Sequence, residues 1–212
     1  RGLPHRKRGG PTKDVLETCR PWLFQTSPGS YQFAVAVQEP RQQLLFASGE
    51  PRPQEVADQF LKILRASAEA PEEGLPVLVP DSEYRSTFLK LTRNLAPKGK
   101  RFSQLEIRSA GETRSVSLVP STRAAVGQAI RAARPPLLTA DEQEQTIRGV
   151  LRAVHLDEDW IEVTVDTDHV RIDHVGEAVD DVIGPMVNHA VLVQVTRDGR
   201  GKLHFRDIET DE

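Results

Sequence analysis

Five of the six histidines lie beyond residue 150: His155, His169, His174, His189 and His204. Aspartates and glutamates are dense around them. Imidazole beside carboxylate is the raw material of a metal site or of a general acid–base pair. The spacing argues against both. No HExxH pattern is present, and His169 and His174, five residues apart, are expected on opposite sides of one strand. His204 lies between Leu203 and Phe205 and is expected to point outward with Lys202 and Arg206. Scattered strand-surface histidines, with no bound metal, are the expectation.

A second pair that invites a catalytic reading is Asp180–Asp181, within "EAVDDVIGPMVNHAVLVQV" at 177–195. Ala178, Val179, Val182, Ile183, Met186 and Val187 recur at a spacing of four, which predicts a short helix with one apolar face. The two acids then fall on its wet side, near the helix start, where negative charge is favoured. Gly184 is the expected stop and Pro185 prevents continuation. The acids are therefore expected to be structural. Other signatures are missing from the sequence: there is no GxxxxGK[ST], no GxGxxG after a strand and no GxSxG. "RDGRG" at 197–201 reads as a hairpin turn. The single cysteine, Cys19, cannot form an internal disulfide or a multi-thiolate zinc site and reads as a small apolar helix residue in a reducing cytoplasm. No catalytic, cofactor-binding or metal-ligating residue is assigned, and the chain is expected not to be an enzyme.

Binding residues are easier to nominate. Arg6, Lys7 and Arg8 form a basic cluster near the start, and Lys98, Lys100 and Arg101 form a second in a loop. Either could touch phosphate. Trp160 in "WIEVTV" alternates onto the face opposite Ile161 and Val163, which makes it the best single contact candidate, with a core aromatic as the equal alternative. Charge is uneven along the chain. Residues 1–145 hold 21 Lys and Arg against 16 Asp and Glu, a net +5, whereas residues 146–212 hold 7 against 15, a net −8. OB-folds that bind single strands use a positive groove with stacking aromatics, so the acidic C-terminal part weakens a nucleic-acid reading there.

The elements that must position these residues follow from periodicity. Residues 1–11, rich in Gly, Pro and basic residues, read as a flexible arm. Residues 12–134 read as an α+β domain: a short helix from Thr12 ended by Pro21, a strand in "YQFAVAV", helices from Pro53 and from near Asp81, a hairpin formed by "FSQLEIRS" and "TRSVSLV", and a helix in "STRAAVGQAIRAAR". Residues 135–145, with Pro135, Pro136 and an acidic run, read as a linker. Residues 146–212 give the order β-β-β-α-β-β, which predicts a small five-stranded OB-like (or SH3-like) β-barrel. No stretch approaches the roughly 18 apolar residues of a membrane span.

"YRSTFLKLTRNLAP", "GVLRAVHLDEDWIEV" and "VDDVIGPMVNHAVLVQV" with the later "DIE" resemble a group of uncharacterised bacterial proteins. The resemblance runs from about Ser27 onward and implies a bacterial origin and an α+β part followed by a small C-terminal barrel. It implies no activity and assigns no functional residue. The expected function is a cytoplasmic, non-enzymatic adaptor that binds a protein partner. The alternative is a nucleic-acid-associated regulator that uses the basic N-terminal part.

Overall fold

A computed structural model describes residues 21–25, 32–37, 52–100, 102–109, 115–133, 143–176 and 182–211. The expected basic arm with Arg6, Lys7 and Arg8, the helix from Thr12, Arg101, and Asp180–Asp181 lie outside them. Strands β1 (Pro21–Gln25) and β2 (Phe33–Val37) pair antiparallel. The first was not expected, because Pro21 reads as a helix stop; the run Trp22, Leu23, Phe24 that follows is nonetheless made of good strand formers.

Helix α1 (Pro53–Glu69) starts with proline in its first turn, where the absent N–H costs nothing, and Glu55 accepts from the Arg52 amide at 3.2 Å. A five-residue helix α2 (Gly74–Leu78), too short to leave a periodic signal, follows. Helix α3 (Ser82–Leu95) is capped by Asp81, whose carboxylate accepts from the amides of Glu83 at 2.9 Å and Tyr84 at 3.1 Å. Strands β3 (Leu105–Arg108) and β4 (Ser115–Leu118) form the expected hairpin, and helix α4 (Pro120–Ala132) ends this region. Ile63, Leu75, Val79, Leu89, Val126 and Ile130 pack the helices together, while Leu61, Leu64, Ala96, Val116 and Leu118 seat the hairpin on α1.

The C-terminal part is a five-stranded sheet of β5 (Gln143–His155), β6 (Trp160–Val165), β7 (Asp168–Asp173), β8 (Ala190–Arg197) and β9 (Leu203–Thr210). β5 begins at Gln143, within the stretch expected as a linker. It pairs with β8 along Gln143–Val150 and with β6 along Val150–His155, so one long strand serves two ladders. β6 pairs with β7, β8 with β9, and a single parallel bridge joins Asp173 to His204. Leu151, Ile161, Val163, Ile172, Val191, Val193, Val195 and Ile208 fill the interior.

Two expectations about this region need correction. Gly184 and Pro185 lie within a short 3₁₀ turn, Gly184–Met186, rather than after a helix end, with Pro185 near its start, where its missing donor is harmless; residues 177–181 of the expected helix lie outside the described residues. Val182, Ile183 and Met186 enter the core, as their apolar spacing predicts. His174 does not share a strand with His169: β7 ends at Asp173, and His174 has left-handed backbone with φ 60°.

Opposite charges meet where the helices contact the sheet. Arg93 on α3 forms a bidentate pair with Asp207 on β9, at 2.5 and 3.1 Å, and donates to the Ile208 carbonyl at 2.6 Å. Arg123 on α4 donates to Glu209 at 2.6 Å and to the carbonyls of Arg93 at 2.7 Å and Ala96 at 3.2 Å. Lys98 donates to the Thr210 carbonyl. Part of the charge asymmetry is thus used internally, to fasten β9 to the helices.

Candidate functional site

The outer face of β6 and β7 gathers planar and charged side chains around Trp160. Ile161 and Val163 are fully buried, so alternation places Trp160 on the outside, as expected. It is half-buried because neighbours flank it. His155, its partner on β5, stacks with the indole at 5.1 Å between centroids and 17° between planes. Arg171 on β7 holds its guanidinium 4.6 Å from the ring centroid, a cation–π contact. The indole Nε1 donates to Glu158 at 2.9 Å.

The loop joining β5 to β6 frames this stack. Leu156 in that loop is 57% exposed. Asp159 has φ 59° and accepts from the Gly176 amide at 2.8 Å, which ties the loop to the chain leaving β7. Asp is among the residues that tolerate this left-handed geometry. On the other side, Asp198 organises the turn between β8 and β9 by accepting from the amides of Arg200 at 2.9 Å and Lys202 at 2.8 Å. Its second oxygen lies 3.2 Å from His204 Nε2, and these contacts, the His204 bond foremost, hold its carboxyl below the usual range. His204 stacks on His174 at 5.1 Å and 12°.

Asp173 joins the two sides. Burial pushes its carboxyl up, but hydrogen bonds from Arg171 at 3.0 Å and Lys202 at 3.2 Å outweigh that and leave it below the ordinary value. A carboxyl depressed in the folded state stabilises the fold above its unfolded pKa and loses that contribution as pH falls through the folded value. Urea unfolding is therefore expected to weaken from pH 5 to pH 3 more in the wild-type chain than in Asp173→Asn. Equal losses would remove Asp173 as a contributor.

The other nominated residues behave differently. Lys98 donates to the Thr210 carbonyl at the helix–sheet junction. Lys100 follows it in the exposed loop and has a further interaction of its own. Neither joins the Trp160 face. Among the described residues, no three His, Cys, Asp or Glu side chains converge as metal ligands. No described helix is long and apolar enough to cross a membrane. His155 and Arg171 were not nominated from the sequence. Their signal was the pairing of two strands either side of Trp160, with each residue on the outward phase. No family model, curated protein or solved structure matches the chain.

Proposed function

We propose that the chain is a non-enzymatic binding module and that the face around Trp160 grips a cationic segment of a protein partner. The observation that carries this is charge. Residues 155–174 and 197–203, the strands and loops that frame the face, together hold eight Asp and Glu against four Lys and Arg. That field repels a phosphate backbone and attracts Lys and Arg. The half-buried Trp160 and the exposed Leu156 add apolar anchors of the kind that dominate protein interfaces.

We read the C-terminal sheet as an OB-like barrel. Numbered within the sheet, the first strand pairs with the second and fourth, and the third runs parallel to the fifth. The connection carrying the 3₁₀ turn lies between the third and fourth. The face described above combines strands two and three with the loops after strands one and four, the region where OB-folds hold ligands. Fold alone does not fix the ligand, and here the acidic composition selects it. Beside this face His169 lies 2.9 Å from Glu162 and His204 3.2 Å from Asp198, which adds two carboxylates to its rim. The lone Cys19 supports action in the cytoplasm.

The test is a titration of the full chain followed by the NMR signal of the Trp160 indole N–H. Oligolysine is expected to shift that signal, and the shift is expected to shrink with added salt. A single-stranded oligonucleotide is expected to leave it in place. The reverse pattern would replace the protein partner by nucleic acid.

A further inference from the structure

We propose that a second site, independent of the Trp160 face, binds a small phosphate-bearing molecule in the cleft between α4 and strands β8 and β9. The cleft has a volume of about 300 Å³. Lys98 follows α3 into it, Arg123, Gly127 and Arg131 come from α4, and Gln194 and Glu209 come from the sheet. Arg123, Gly127 and Arg131 are spaced by four residues and so share one face of α4.

Three features point to an anion. The first is charge: with Arg93 at its base, the cleft has four cationic side chains and one acid among its lining residues. Arg93 and Arg123 are matched by Asp207 and Glu209, but Arg131 makes no hydrogen bond or ion pair with a described residue. The second is space. A Cβ added at Gly127 would sit 3.6 Å from Arg131 Nη1 and 3.9 Å from Arg93 Cδ, so the glycine leaves a methyl-sized recess between two arginines. The third is an unmet donor: the side chain of Arg93 is 6% exposed and its Nε has no hydrogen-bond partner. A guanidinium presents a planar fork that matches the oxygens of phosphate, and a phosphate monoester carries close to two negative charges at neutral pH. A volume of this size suits a compact anion.

Titration calorimetry of the full chain with inorganic phosphate and with pyrophosphate, at ionic strength matched with sodium chloride, tests the site. Both are expected to bind. Arg131→Gln is expected to weaken binding about tenfold, through loss of one charge-assisted bond. Gly127→Ala is the second variant. Alanine is the better helix former and the added methyl meets only ordinary contacts, so this chain is expected to fold at least as stably while binding less phosphate. Phosphate heat no greater than that of the chloride control overturns the proposal. So does binding that both variants leave unchanged. An oligonucleotide that binds where neither phosphate nor pyrophosphate does also overturns it, in favour of a backbone contact.

Discussion

Asp207→Ala is expected to destabilise the fold by about 3–5 kcal/mol, the range seen when one member of a buried ion pair is removed. Arg93 and Asp207 are 5% and 2% exposed. Their bidentate bonds at 2.5 and 3.1 Å satisfy two charges that water cannot reach. Without Asp207, the guanidinium retains the Ile208 carbonyl at 2.6 Å but stays charged and buried, with its Nε already unpartnered. Neutral burial is not the difficulty, since replacing a whole buried pair by apolar residues of similar size is often neutral or stabilising. The double variant Arg93→Met with Asp207→Leu is therefore expected to recover most of the loss. Urea unfolding of the two chains measures this. A loss under about 1 kcal/mol for Asp207→Ala, typical of an exposed pair, would show that the pair does not anchor β9 to the helices.

Gly149→Ala is expected to cost about 3 kcal/mol or more, at or above the usual range for overpacking. The added Cβ would stand 2.3 Å from the Thr164 carbonyl oxygen and 2.7 Å from Val163 Cγ1. The nearer atom belongs to the backbone of the neighbouring strand, which cannot turn aside as a flexible side chain can. Gly149 sits where β5 passes from one ladder to the other, with Val150 paired to both Thr164 and Ala190. Close approach of two backbones at such a bend is a recurrent reason for glycine within a strand. The sign is informative, because an interior glycine otherwise costs stability relative to alanine. A Gly149→Ala chain as stable as wild type would mean that the bend opens easily and that the ladder geometry there is loose.

The sequence revealed much of this fold, and the reasons for its limits lie in particular residues. Asp81 and Pro53 announced their helices, because caps and first-turn prolines act locally. The five strands of the C-terminal sheet were legible from alternation such as Ile161, Val163 and Val165. The Arg93–Asp207 pair was not, since 114 residues separate its members. Its signal was a broken period: Leu203 and Phe205 set one phase, which would carry Asp207 inward and Ile208 outward. The ladder between β8 and β9 instead shifts register after Gln194, which moves Ile208 into the core and turns Asp207 toward α3. A bulge of that kind adds one residue and is read only as an inconsistency in alternation. Trp160 was nominated correctly as an outward residue, but its neighbours His155 and Arg171 depend on pairing across three strands. The charge asymmetry was visible, yet its internal use in the junction required the tertiary contacts of Arg93 and Arg123.

The most direct measurement is capture from nuclease-treated native lysate by the immobilised full chain, compared with Trp160→Ala and with a chain in which Asp157 and Glu158 are replaced by Asn and Gln. A defined protein is expected to be captured by the wild-type chain, to carry a Lys- or Arg-rich segment, and to be lost from both variants. Capture that disappears with nuclease, or that both variants retain in full, would contradict a cationic protein partner at the Trp160 face.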